Sequence, residues 1–140
     1  MKVLIDTNII LDVLCNRKDF ATDSTKVFKL CEVKKITGYI SALSIANIVY
    51  IMRKELDTEN TSKILEQLSL IFEIVDLKAD DLKRASVLDF NDYEDAIQST
   101  QATRLKVDYI ITRNIKDYIK SKVPTIKPSE LIERIYAQNT

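Results

Sequence analysis

The chain opens on three consecutive apolar residues, Val3-Leu4-Ile5, that run straight into Asp6-Thr7-Asn8. An apolar run with no polar alternation predicts a short strand covered on both faces. Ile9, Ile10, Val13 and Leu14 then recur at helical spacing and predict a helix from about Asn8 to Cys15. Asn16-Arg17-Lys18-Asp19 reads as a turn. A second helix follows from about Ala21 to Lys34, with Val27, Leu30 and Cys31 on one face. Thr37-Gly38-Tyr39-Ile40 reads as a second strand. Ser41-Ala42-Leu43-Ser44 leads into a third helix striped by Ile45, Ile48, Val49 and Met52.

The same alternation continues to the end. Asp57-Thr58-Glu59-Asn60 breaks the third helix and caps a fourth, which carries Ile64, Leu65 and Leu68. Phe72 to Val75 is strand-like, and a helix spans about Ala79 to Leu88. Acidic Asp89 to Asp95 precedes a helix reaching about Arg104. Tyr109-Ile110-Ile111 is a second strand of the buried type and ends at Thr112-Arg113-Asn114. Pro124-Thr125-Ile126 fits an edge strand, because proline cannot donate to a ladder. Pro128 opens a last helix faced by Leu131, Ile132 and Ile135. Strands alternating with helices call for an α/β fold, a three-layer α/β/α sandwich with a central parallel sheet. No repeat or linker divides residues 1–140, so a single domain is expected.

Composition narrows the chemistry. Apolar residues make up 46% and charged residues 30%, the balance of a chain that builds a core. Lysine plus arginine equals aspartate plus glutamate at 21 each, so any grip on nucleic acid must come from a local patch. There is no histidine, which removes imidazole bases, Ser-His triads and His-ligated zinc. The lone glycine, Gly38, excludes glycine-rich phosphate loops. Carboxylates, hydroxyls and amides remain, which suit oxygen-ligated hard cations. Cys15 and Cys31 read as buried free thiols rather than a disulfide scaffold. No signal peptide or membrane-length apolar run is present, so a cytoplasmic location is expected.

Candidate chemistry falls after two strands and at one helix start. Asp6, Thr7 and Asn8 follow the first strand; Thr112, Asn114 and Asp117 follow the Tyr109–Ile111 strand; Asp92 and Asp95 open a helix. Strand ends and helix starts gather along one edge of a doubly wound sheet, where ligands bind. Carboxylates meeting there repel one another unless a cation holds them. Each also has a plainer role. Asp6 serves equally well as a helix cap, Asp92 fits an N-cap with Asp95 in the first turn, and Asp117 suits a surface loop. Asp12, Asp19, Asp80, Asp81 and Asp89 are expected to be solvated.

Taken together these stretches resemble the PIN-domain family of small metal-dependent ribonucleases, which includes VapC-type toxins. Val3-Leu4-Ile5-Asp6-Thr7-Asn8 matches the family's opening motif, hydrophobic residues followed by DTN. Asp92-Tyr93-Glu94-Asp95-Ala96-Ile97-Gln98 is similar to its central DxxDA segment, and Ile110-Ile111-Thr112-Arg113-Asn114 with Asp117-Tyr118 to its closing motif. The resemblance implies that Asp6 and Asp95 bind Mg²⁺ or Mn²⁺, with Asp117 or Asn114 completing the site. It casts Asp92 as helper or cap, and Thr7 and Thr112 as orienting hydroxyls. One departure stands out. Asn47 occupies the place of a glutamate usual in the third helix, and a neutral oxygen should hold a divalent ion more weakly than an anion. Some PIN subgroups resemble the chain in having Asn there.

The resemblance implies an endoribonuclease leaving 5′-phosphate and 3′-hydroxyl ends, in which a divalent ion activates water and stabilises the leaving oxygen. Arg113 and Lys116, with Lys18, Arg53, Lys54 and Lys120, are candidates for gripping RNA. A toxin role implies an antitoxin partner, and the family implies homodimerisation, for which the apolar third and fourth helices are available, although those faces serve equally well as core. The alternative is a PIN module degenerate at Asn47 that binds RNA or protein without cleaving. A phosphoacceptor receiver domain fits poorly, because Asp6 lacks an acidic neighbour and Val75-Asp76-Leu77 is a poor second site.

Overall fold

A computed structural model of the protein describes residues 1–55 and 57–138. Its five strands are β1 (Lys2–Ile5), β2 (Thr37–Ser41), β3 (Glu73–Val75), β4 (Tyr109–Ile111) and β5 (Thr125–Ile126). They form one sheet in the order β3-β2-β1-β4-β5, and every pairing is parallel. The register sets Val3 beside Gly38 and Leu4 beside Ile110. The chain builds outward from β1 to β3 on one side, then crosses back to lay β4 and β5 on the other. The reversal at β1 and β4 opens a crevice beyond their carboxyl ends. Asp6 extends the pairing by one step, its N–H donating to the Ile111 carbonyl at 3.0 Å.

Among the described residues the α-helices are α1 (Thr7–Leu14), α2 (Ala21–Glu32), α3 (Ala42–Glu55), α4 (Thr58–Ile71), α5 (Ala79–Ser86), α6 (Tyr93–Leu105) and α7 (Pro128–Gln138). Side chains alternate across β1, which explains its unbroken apolar run. Val3 and Ile5 join Ile9, Val27, Ile48, Leu68 and Leu131 in one core layer. Leu4 and Ile110 face the other way, with Ala102, Val107 and Tyr118. A third cluster, Ala85, Ala96 and Ile97, packs α5 against α6. Burying each Leu or Ile stabilises the fold by about 1.5–3 kcal/mol.

Gly38 is required by packing. A Cβ there would lie 2.6 Å from Cys31 Sγ and 2.8 Å from Phe72 Cδ1, so β2 could not approach α2 and the end of α4 as it does. Because no other glycine exists, left-handed positions fall on Asn16, Lys34 and Lys106. Lys106 ends α6, with φ 57°.

The structure corrects several expectations. α2 stops at Glu32 and α5 at Ser86, each two residues short of the periodic pattern. A 3-10 turn at Ile115–Tyr118, not anticipated, buries Tyr118. Asp12 and Asp81 are not solvated. Asp12 is 0% exposed and pairs with Arg113 at 3.0 Å and Arg17 at 3.2 Å. Asp81 accepts hydrogen bonds from Arg104 Nε and Nη2 at 3.0 and 2.8 Å, tying α5 to α6. A buried carboxylate needs such partners, and Arg113 and Arg104 come from other elements of the fold, whereas Arg17 is a local partner of Asp12. Cys31 is a buried free thiol as expected, whereas free Cys15 is only partly buried.

Candidate active site

The crevice beyond β1 and β4 forms a cavity of about 400 Å³. Asp6, Thr7 and Asn8 reach its wall from the β1–α1 junction, Asn47 from α3, Asp92, Glu94 and Asp95 from the start of α6, and Asn114 and Asp117 from the loop after β4. Leu11, Tyr50 and Ile51 supply an apolar rim. Four separate stretches of sequence thus meet at one place.

Asp6 occupies the N-cap position of α1, yet its side chain makes no cap hydrogen bond. Its Oδ2 accepts from Thr112 Oγ1 at 2.8 Å, and its Oδ1 from Gln98 Nε2 at 3.2 Å. Burial raises its pKa above the ordinary 3.8, against those two hydrogen bonds. Thr112 sits behind Asp6, and its Oγ1 also accepts from the Asn114 N–H at 3.1 Å, which links the β4 loop to the acid.

Asp95 is half-buried, and its pKa is pushed up to about 7. Burial contributes most, followed by the charges of Asp6 and Asp92. Tyr118 donates its hydroxyl to Asp95 Oδ1 at 3.1 Å while accepting from Gln98 Nε2 at 3.3 Å. One amide and one phenol therefore bridge the two acids. Asp92 does cap α6, its Oδ1 accepting from the Asp95 N–H at 3.0 Å. It lines the cavity as well, so the two readings of Asp92 are compatible.

Of the residues picked out by sequence, Thr112 stands behind the cavity rather than on its wall. Arg113 and Lys116 do not line it. The Arg113 guanidinium grips Asp12 through Nε and Nη2 and lies 4.1 Å from the Phe20 ring centroid. Lys116 is exposed. Sequence reasoning passed over Glu94, Gln98, Ser44 and Tyr118. Gln98 had a signal, since it follows Asp95 by three residues on one helix and shares its face.

Every polar donor on the wall is oxygen or amide, the chemistry of a hard divalent cation. Among the described residues, no three acidic side chains already stand close enough together to hold an ion. The fit rests on the donor set and on the charge crowding that resists ionisation of Asp95, which a cation relieves.

A parallel α/β sheet with a carboxylate cavity at its topological switch point defines the class of open α/β proteins, in which ligands bind at the carboxyl ends of the strands. Residues 2–116 match the sequence model of the PIN domain. The chain belongs to the PIN-domain family. No curated protein matches the sequence. Among solved structures, it is similar to a chain of the toxin-antitoxin complex from Klebsiella pneumoniae, with 22% identity and TM-score 0.69 over 90% of this chain and 97% of that one. A chain of VapBC2 from Rickettsia felis, bound to a DNA fragment from its promoter, aligns with 20% identity and TM-score 0.67 over 91% and 98%. A chain of DNA-bound VapBC from Salmonella typhimurium aligns with 14% identity and TM-score 0.68 over 91% and 98%. Their fold is the five-stranded parallel architecture described above.

Proposed function

We propose that the protein is a divalent-metal-dependent endoribonuclease and the toxin of a toxin-antitoxin pair. The observation that supports this most is the convergence of Asp6, Asp95, Asp92, Asp117 and Asn114 on one cavity in a PIN-family chain. Asp6 and Asp95 would hold Mg²⁺ or Mn²⁺, with Asp117, Asn114 and Asn47 in reach of the same cavity and Asn8 beside Asp6. When bound, the ion polarises a phosphodiester, makes water more acidic and stabilises the leaving oxygen.

The chain's own residues prepare that chemistry. Thr112 and Gln98 lock both oxygens of Asp6, so its rotamer is set before substrate arrives. Tyr118 fixes Asp95 through Oδ1. Burial keeps the Tyr118 hydroxyl protonated, with the charges of Asp6 and Asp95 acting in the same direction, so it acts as a donor throughout. Lys116, and Lys54 whose Nζ lies 4.4 Å from the ring centroid of Tyr50 on the cavity wall, would meet RNA phosphates, with Arg113 contributing only if it leaves Asp12.

Cognate antitoxin binding is a further part of the proposal, supported by the toxin-antitoxin complex in which a similar chain is found; homodimerisation is proposed from the family resemblance alone. Among the described residues, no helix is long and apolar enough to cross a membrane. A cytoplasmic setting suits a toxin that acts on RNA.

The test is cleavage of a structured RNA by the purified protein. Activity should require Mg²⁺ or Mn²⁺, vanish with EDTA, and fall about 100-fold or more in Asp6→Asn. Cleavage that persists with EDTA or in Asp6→Asn defeats the proposal. The second reading, a degenerate module that binds without cutting, is favoured by the neutral amide at Asn47. It predicts no cleavage with either ion and retained partner binding.

A further inference from the structure

Glu94 is the one cavity carboxylate to which no role has been given. Its Oε1 accepts from Thr7 Oγ1 at 3.0 Å, and its Oε2 accepts from Asn47 Nδ2 at 2.9 Å. The Thr7 proton is spent on Glu94, so Ser44 Oγ, 2.6 Å away, is the donor to Thr7. Groups from α1 and α3 thus converge to orient a carboxylate on α6. Both donors that reach it are neutral. Among the described residues no lysine or arginine pairs with Glu94, whereas the buried acids Asp12 and Asp81 each have an arginine. Glu94 is therefore oriented without being neutralised, on the wall of a cavity that also holds Asp6 and Asp95.

Asn47 takes on a new meaning here. Its amide spends an N–H on Glu94, a contact that a glutamate at position 47 could not make and would replace with charge repulsion. The neutral residue on α3 and the acid on α6 form a matched pair. We infer that Glu94 becomes an anionic ligand of the divalent ion beside Asp6 and Asp95 when the ion draws these carboxylates together, and that Asn47 and the Ser44–Thr7 pair are positioning residues that hold it. The inference rests on reading the cavity as a divalent-ion site. It gives the site an anion that Asn47 does not provide, so the neutral amide is no sign of degeneracy.

The test is Mn²⁺ binding to the full chain by titration calorimetry, with the Mn²⁺ electron paramagnetic resonance spectrum as a second readout. Glu94→Gln keeps the shape and one acceptor oxygen but removes the charge. It should weaken binding at least about tenfold while exposed Asp89→Asn leaves binding unchanged. Asn47→Glu alone should not tighten binding, because two carboxylates then compete for one place. Glu94→Gln with Asn47→Glu should recover most of the lost affinity. If Glu94→Gln does not fold, Asn47→Ala releases the same carboxylate and should weaken Mn²⁺ several-fold. Wild-type affinity in Glu94→Gln, or in Asn47→Ala where that variant stands in, overturns the inference. Failure of Asn47→Glu to rescue Glu94→Gln also counts against it. Mn²⁺ binding that Asp6→Asn abolishes but Glu94→Gln leaves at wild-type affinity would overturn this inference alone. A wild-type chain that binds no Mn²⁺ would overturn the reading of the site itself.

Discussion

Asp95 gives the metal-free protein a pH dependence whose sign is fixed by the crowding around it. Its pKa is raised from 3.8 to about 7 by burial and by the charges of Asp6 and Asp92. Below pH 4 both the folded and the unfolded chain carry the proton. As pH rises toward 7 the unfolded chain loses it while the folded chain keeps it, so stability falls across that window. Above about 7 both are ionised and the loss is complete. Each unit of difference is worth about 1.4 kcal/mol, which sets a ceiling near ~4 kcal/mol. Asp95 is only half-buried and water screens its neighbours, so about 1–2 kcal/mol is expected. For a chain of 140 residues that is a fall in Tm of roughly 3–7 °C. Asp6, also raised by burial, adds to it with the same sign. The assay is thermal unfolding in EDTA at constant ionic strength from pH 5 to pH 8. The background is favourable, since the chain has no histidine to titrate in that range. Asp95→Asn should flatten the slope and be more stable than wild type at pH 8. A wild-type Tm that is flat or rising, or an equal slope in Asp95→Asn, would refute the reasoning.

Other outcomes follow from contacts elsewhere in the fold. Tyr118→Phe removes a hydrogen bond that lowers the Asp95 pKa, so the same pH-dependent loss of stability should shift to higher pH, at a general cost of about 1 kcal/mol. Gly38→Ala forces a methyl against Cys31 and Phe72 and should destabilise by roughly 1–3 kcal/mol, read as a lower urea midpoint with unchanged slope. Asp12→Ala strands Arg113 and Arg17. Both reach solvent, so the loss should be about 2–3 kcal/mol, below that of a fully buried pair, and a urea titration at pH 7 measures it.

Much of the fold was legible because local pattern and global architecture agree. Val3-Leu4-Ile5 and Tyr109-Ile110-Ile111 read as doubly covered strands, and they are the central and neighbouring strands of the sheet. Pro124 announced an edge, and β5 is one. Boundaries were less legible. α2 ends where Lys34 turns left-handed, a feature usually marked by glycine and silent in a chain with only one. Asp12 and Asp81 looked like surface acids because hydrophobic periodicity treats every carboxylate as solvated, while the arginines that reach them from other elements, Arg113 and Arg104, are set beside them only by the fold. At the site, Asp6, Asp95 and Asp117 stood out by their places after strands and at a helix start. Glu94 and Gln98 lay in the same stretch but passed unremarked, since what distinguishes them is a partner on another element.

The sequence by itself determined that the chain is α/β, that its strands run parallel, and that its acids gather at one edge. These follow from the alternation of strand and helix patterns and from where the acids fall in it, properties written residue by residue. Only the tertiary structure decided what each acid does. Asp6 and Asp92 both precede helices, yet Asp92 caps its helix and Asp6 turns instead to Thr112 and Gln98. A carboxylate's role depends on how dry its surroundings are and which donors reach it. The donor to Asp92 lies three residues along its own helix, whereas those to Asp6 lie 92 and 106 positions away, at distances that exist only once the sheet has closed.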